Sequence, residues 1–229
     1  MGEFPEILAS NEYGRYSVPE GLEHRPAVRL VTGGQVYEPE TIRFMRDQAA
    51  DGDIIHAGTF FGDFLPGLSA AIAPDARIWA FEPNPNSYTH ATRTIALNGL
   101  ENVVLTHAAV SNSDAPIRFR TRDAQGNPLG GHSRYVTEDG PGVETVPAIQ
   151  LDTVIPDDRR ISILQLDVEG HERAALDGAL QLIARCQPIL ILEEFRHKRW
   201  IKARLGHLGY ELKRKLHANR VFAPADRVL

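Results

Sequence analysis

The chain has 229 residues, of which 42% are hydrophobic and 24% charged, and a net charge of −5. This length suits one domain or a tight pair at roughly 100–200 residues each, and the balance excludes wholesale disorder, a collagen repeat or a disulfide-stapled miniprotein. Cys186 is the single cysteine. No apolar run approaches the ~18 residues of a membrane helix, and the acidic start MGEFPEILASNEYGRY lacks a secretory signal, so the expectation is a cytoplasmic protein with no membrane span.

Taken in chain order, residues 1–35 read as an N-terminal extension and 36–229 as a single domain. A helix is expected from Glu40, with Ile42, Met45 and Ala49 facing inward. Ile54-Ile55 form a strand followed by a helix from about Gly62, and residues 77–81 form a second strand. The next helix has strong punctuation: Asn84 caps it, Pro85 opens it, Tyr88, Ala91 and Ile95 share a face, and Gly99 ends it. Residues 102–106 make a third strand. The stretch 120–147, with Gly126, Gly130, Gly131, Gly140 and Gly142, reads as a long loop or inserted hairpin. A strand at 161–168, a helix carrying Leu176, Leu180 and Ile183, and a strand at 188–192 continue the alternation. A basic helix follows, then a hairpin of 210–215 and 220–223 that adds an antiparallel edge. Strand and helix alternating in this way write a mostly parallel α/β sheet with helices on both faces. Residues 196–220 hold nine Lys/Arg and one acid, a local +8 inside an otherwise acidic chain, and read as a solvated face.

Ligands of open α/β sheets bind beyond the carboxyl ends of the strands, so the strand stops carry the chemistry. The first ends in His56-Ala57-Gly58-Thr59-Phe60-Phe61-Gly62-Asp63, a turn whose glycines let backbone approach a ligand. A dinucleotide fingerprint needs small residues where this chain has Phe60 and Asp63, and a pyrophosphate would meet bulk and negative charge there. A nucleoside ligand without phosphates, such as S-adenosylmethionine, fits better. The second strand ends in Phe81-Glu82-Pro83, and Glu82 stands 20 residues past Gly62, where a carboxylate accepts hydrogen bonds from both ribose hydroxyls.

With HAGTFFG at 56–62, AFEPNP at 80–85, AAVSNSDA at 108–115 and LQLDVEGHE at 164–172, the chain resembles the FkbM family of S-adenosylmethionine-dependent class I methyltransferases. The resemblance implies a Rossmann-like, seven-stranded, mostly parallel sheet with an antiparallel edge strand, and O-methylation of a hydroxyl on a sugar, glycolipid or secondary metabolite. It also implies cofactor contacts: Gly58, Phe60 and Gly62 at the methionine and ribose part, Glu82 at the ribose and Ala108-Ala109 at the adenine edge, with His56, Thr59, Pro83 and Asp167 completing the set. Tyr37-Glu38 resembles a family element that reaches the cofactor's amino-acid end. The family usually has an acid at the position of His56 and an asparagine at that of Phe60. A histidine there serves only when neutral, which ties the expected affinity to pH near the imidazole pKa of about 6.5.

Methyl transfer from a sulfonium asks mainly for alignment in a dry pocket, but a sugar hydroxyl is a weak nucleophile that benefits from a base. Asp167 and His171 are the candidate catalytic groups. His132, Glu193 and Glu194 are further possibilities, whereas Glu169 and Glu172 read as acids that complement a helix start. No metal site is predicted, although a divalent ion on Asp167 and nearby carboxylates is conceivable chemistry. The acceptor is expected to be a small molecule or glycan and not a nucleic acid, since the whole chain is acidic and no N-P-P-Y-type tetrad follows the fourth strand. Two rivals stay open: a nicotinamide oxidoreductase, and a non-catalytic methyltransferase-fold protein that retains S-adenosylhomocysteine or no cofactor.

Overall fold

The computed structural model describes residues 4–229, so the first three residues of the expected extension lie outside it. In chain order the elements begin with a hairpin, β1 (Glu6–Asn11) and β2 (Gly14–Pro19), then helices α1 (Pro26–Thr32) and α2 (Pro39–Gln48). There follow β3 (Asp53–Ala57), α3 (Leu65–Ser69), β4 (Ile78–Phe81), α4 (Pro85–Asn98), β5 (Val103–Thr106) and β6 (Ala109–Val110). An inserted sheet comprises β7 (Ile117–Arg120), β8 (Arg134–Tyr135) and β9 (Val143–Val146), after which β10 (Ala148–Ile149) and α5 (Leu151–Val154) return the chain. The second half is β11 (Ile161–Leu166), α6 (Glu172–Asp177), α7 (Leu180–Cys186), β12 (Ile189–Glu193), α8 (Lys198–Leu205), β13 (Tyr210–Leu216) and β14 (Asn219–Pro224).

Seven strands form the central sheet in the order β13-β14-β12-β11-β3-β4-β5. The central strands DIIHA, ISILQL and ILILE are buried almost throughout, as strands of a parallel sheet covered on both faces must be. Because alternate side chains point to opposite faces, Ile55, Leu164 and Leu190 join one core with α6, α7 and α8, and Ile54, Ile163 and Ile189 join the other with α2. The antiparallel strand is β14, which pairs with β12 on one side and β13 on the other, so it lies one place in from the edge. Burial explains the placement: Val221, Phe222 and Ala223 need cover, whereas Lys213, Arg214 and Lys215 of β13 suit a solvated edge that repels further strands. That edge takes up three of the nine Lys/Arg of the basic segment, and α8 takes up four.

Several boundaries differ from expectation for local reasons. The helix expected from Gly62 starts at Leu65, because Gly62 is still part of the turn, its N–H donating to the Thr59 carbonyl at 2.9 Å. The helix expected around Leu176–Ile183 is two, broken at Gly178. A side chain at Gly178 would lie 2.0 Å from the Ser111 carbonyl, and Asp152 caps α7 by accepting from the Gln181 and Leu182 N–H groups. The glycine-rich stretch is a three-stranded antiparallel sheet that starts earlier, at Ile117, and is bracketed by the parallel pair β6 and β10.

The extension also has structure that its sequence did not announce. The hairpin lies on α4, where the Ser17 and Arg15 N–H groups donate to Thr94 Oγ1 at 3.1 Å and Asn98 Oδ1 at 2.9 Å. Tyr16, Val18, Leu22 and Val28 pack around Phe60 and Phe61 of the glycine turn.

Candidate active site

The carboxyl ends of β3, β4, β11 and β12 open on one cavity of about 1090 Å³, open mouth included. The tips of the sheet supply His56, Gly58, Phe60, Glu82, Pro83, Asp167, Glu169, His171 and Glu193, and β6 supplies Ala109. Arg25–Ala27 come from the N-terminal unit, and Phe119, Gly130–Ser133 and Tyr135 from the inserted sheet. Three residues expected to touch a cofactor sit behind this wall. Thr59 is fully buried with its hydroxyl donating to the His56 carbonyl at 3.1 Å, Gly62 faces Leu65, Thr94 and Ala91, and the Ala108 N–H bonds the Thr106 carbonyl at 3.0 Å. They shape the turns and do not line the cavity.

The glycine turn is clamped from both sides. The Gly58 and Thr59 N–H groups donate to the Phe81 carbonyl at 3.0 and 3.2 Å, and the Asp167 N–H donates to the Ala57 carbonyl at 3.0 Å. Gly58 has φ +86°, and a Cβ there would come within 1.7 Å of the Asp167 carbonyl, so only glycine fits. Phe60 also takes a left-handed φ, +52°, which aims its N–H at Glu82 Oε2 at 2.8 Å. Its ring packs with Leu22 and under Gly130 and Gly131, so the aromatic residue joins the N-terminal unit and the insert to the turn.

Glu82 receives a second backbone bond, from the Asn84 N–H to Oε1 at 2.8 Å. Burial pushes its carboxyl up to about 8, although both N–H bonds pull the other way. Each oxygen accepts one backbone N–H and retains a second lone pair, and Glu82 lines the cavity, which is the capacity that recognition of a vicinal diol requires. Around it stand Glu38, Asp63, Asp167, Glu169 and Glu193, so six carboxyl groups share the wall with one guanidinium, that of Arg25. Burial lifts Asp63 to about 7, and burial together with Glu193 lifts Glu169 to about 7. Asp167 is raised by burial and then by the neighbouring carboxyl of Glu193. Oxygens of Asp167, Glu169 and Glu193 lie within 4.8 Å of one another, a set of hard ligands chemically suited to a divalent cation or to a developing positive charge. Excess buried carboxylate makes this a site for cationic or proton-donating ligands.

Glu169, read from sequence as a helix-start acid, therefore belongs to the cluster, carried there by a left-handed backbone at φ +52°. Glu172 keeps the structural role, accepting from the Gly170 and Val168 N–H groups at 3.1 and 3.4 Å. His171 lines the cavity with Nε2 at 3.0 Å from Ser111 Oγ and its ring 4.8 Å from that of Tyr135; burial lowers its pKa. Tyr37 and Glu38 both reach the wall, Glu38 held by Thr41 and Asn219 at 2.8 Å each. Glu194, by contrast, is outside the wall. His132 is on it, paired with Arg25. The sequence points to the N-terminal segment, to 120–144 and to the surroundings of Phe195 as builders of the acceptor pocket; the first two do line the cavity, through Arg25 and Tyr135, which the sequence did not single out, whereas Phe195 is not on its wall. Nothing in the neighbourhoods of Arg25 and Tyr135 has a motif, and only the fold brings an N-terminal arginine and an insert tyrosine to the sheet tips.

Comparison with known proteins agrees with this geometry. Residues 56–215 match the family model described as the Methyltransferase FkbM domain. The chain is 23% identical over 176 residues to the hexuronic acid methyltransferase AglP of Haloferax volcanii, covering 76% of this chain and 68% of that protein. Among solved structures, M. jannaschii TYW2 in complex with AdoMet superposes with a TM-score of 0.52 at 14% identity over 98% of this chain and 89% of that one, a likeness of fold. A methyltransferase FkbM from Methylobacillus flagellatus aligns over 76% of this chain with a TM-score of 0.49 and 16% identity, and this chain spans only 44% of its length. The family match takes in the glycine turn, Glu82, Asp167 and Glu193 together, and the chain belongs to the FkbM methyltransferase family.

Proposed function

We propose that this protein uses S-adenosylmethionine to methylate a hydroxyl oxygen of a small-molecule or glycan acceptor, with a sugar of the uronic acid class as the leading candidate. The observation that carries the reading is Glu82, fixed by two backbone N–H groups at the tip of β4 and facing a cavity that also holds the Asp167–Glu193 pair. Similarity to a hexuronic acid methyltransferase supports the acceptor class.

When bound, the cofactor supplies an electrophilic methyl on a sulfonium. Glu82 binds the ribose diol, and Gly58 keeps the backbone low enough for the ligand to cross the turn; Ala109 and Pro83 lie on the adenine side. Asp167 is the base. Burial and the neighbouring Glu193 raise its proton affinity, so it could take the proton of an acceptor hydroxyl at its Oδ. His171, anchored by Ser111, and Tyr135 stack beside this point and orient the acceptor. The N-terminal unit and the insert supply further walls of the cavity, which limits the access of water.

The test is transfer of isotopically labelled methyl from S-adenosylmethionine to uronic-acid-terminated oligosaccharides and their neutral counterparts. A base-stable methyl ether is the expected product. A base-labile methyl ester would mean that the acceptor oxygen is a carboxylate, which needs no base, and would overturn the role given to Asp167.

A further inference from the structure

The acid-rich cavity has one cationic corner, built by parts of the chain that lie outside the central sheet. Arg25, just before α1, and His132, from the insert, both line the cavity, and Nη1 of Arg25 meets Nδ1 of His132. A guanidinium only donates, so Nδ1 is the acceptor and the imidazole is neutral, with its ring proton on Nε2. Burial and the neighbouring guanidinium both lower the His132 pKa. Burial likewise takes His56 to about 4 and lowers His171, so the imidazoles of this wall are uncharged near neutrality. The pH sensitivity near 6.5 expected for His56 is thereby corrected. Arg25 is left as the one permanent positive charge on a wall with six carboxyl groups.

None of those carboxyls neutralises it. Glu169 is near enough to favour the guanidinium charge, yet Arg25 forms no ion pair with a carboxylate among the described residues. Of its three nitrogens, Nη1 is taken by His132 and Nε is buried. Nη2 has no hydrogen-bond partner among the described residues and is not among the buried atoms, so it is a free donor that a ligand can reach. Position points to the acceptor. The carboxyls that sense this corner are Glu169, just after β11, and Glu193, at the end of β12, whereas Glu82 follows β4 on the far side of β3. A cofactor with its ribose at Glu82 leaves the corner to the molecule that enters beside Asp167. A neutral sugar there would leave the guanidinium unpaired, but a uronate supplies it with a carboxylate and still has hydroxyls to donate to the acids. We infer that Arg25, steadied by His132, selects a carboxylate-bearing acceptor, its Nη2 binding the carboxylate while a hydroxyl of the same sugar donates to Asp167. This rests on the reading of Asp167 as the base of a methyltransferase and deepens it: the carboxylate is the handle and the hydroxyl the methylated oxygen.

The experiment is NMR-monitored titration of wild type, Arg25→Gln and Arg25→Lys, each loaded with S-adenosylhomocysteine, with methyl glucuronide and methyl galacturonide beside their neutral hexosides. Wild type should bind a uronide about 10-fold more tightly than its hexoside, Arg25→Gln should lose the preference, and Arg25→Lys should keep part of it. All three proteins should bind S-adenosylhomocysteine alike, which also shows that the variants fold. No preference in wild type, binding of no sugar at all, or a preference that survives in Arg25→Gln would overturn the assignment. Weaker binding of S-adenosylhomocysteine by Arg25→Gln, with 5′-methylthioadenosine bound as in wild type, would give the guanidinium to the cofactor's own carboxylate and also overturn it. Wild type binding no S-adenosylhomocysteine would instead overturn the methyltransferase reading on which it rests. Nitrogen-15 NMR of the wild-type arginine side chains needs no variant. The Arg25 guanidinium resonances should move with the uronide and stay with the hexoside; unmoved resonances contradict the proposal.

Discussion

At the amino end of β3, Asp53 is enclosed by donors: the Arg77 N–H at 2.8 Å, Trp79 Nε1 at 2.7 Å and Arg159 Nε at 2.8 Å. At the carboxyl end of the same layer, Asp167, Glu169 and Glu193 have chiefly one another, and Glu82 has two backbone N–H groups and no cation. Both sets are carboxylates drawn in from water. The first set is complete without a ligand and ties β3, β4 and the approach to β11 together. The second is incomplete, and burial raises the pKa of Glu82, Asp167 and Glu169, the electrostatic mark of groups positioned for something else. Which acids hold a fold and which serve its chemistry is thus decided by donor supply, not by residue type.

The sharpest way to break that contrast is Asp167→Asn. Turnover should fall about 1000-fold, with cofactor affinity within about 3-fold of wild type, because the substitution removes a base and leaves the ribose contacts. Steady-state rates beside cofactor titrations check it; near-wild-type turnover would remove Asp167 from the chemistry. Asp53→Ala should do the reverse. Loss of the Arg159 pair and two further donors should cost about 3 kcal/mol in denaturant melts, with KM for cofactor and acceptor unchanged in the protein that folds.

A smaller effect separates the two ends by pH. Glu82 near 8, and Asp63 and Glu169 near 7, keep more protons in the folded protein than their unfolded values near 4 would. Between about 4.5 and 8 the folded state therefore binds more protons than the unfolded state, and stability falls as pH rises. The melting temperature of the ligand-free protein should drop from pH 5.5 to 8.5, and Glu82→Gln should flatten part of the slope. A melting temperature that climbs across this range would contradict the assignment of those groups.

Much of the site was legible because its chemistry is written in consecutive residues. Gly58, Glu82 and Asp167 each end a strand, and a strand end followed by a capped helix, as at Asn84-Pro85, fixes direction and depth. The positions of the parallel strands along the chain followed from their apolar runs. What could not be read came from long-range packing. Arg25 reaches the cavity only because the hairpin docks on α4, Glu169 joins the cluster only through a left-handed turn, and β14 slips inside β13 because its side chains need burial. Phe60 read as bulk against a pyrophosphate and as a cofactor contact; its ring also joins the N-terminal unit and the insert to the glycine turn.

The measurement that tests the central claim most directly is calorimetric titration of wild type and Glu82→Ala with S-adenosylmethionine, S-adenosylhomocysteine and NAD. Binding of the first two on the order of micromolar, no binding of NAD, and a loss of about 100-fold in Glu82→Ala are predicted. Binding of NAD, or S-adenosyl ligands held as tightly without the Glu82 carboxylate, would contradict the account.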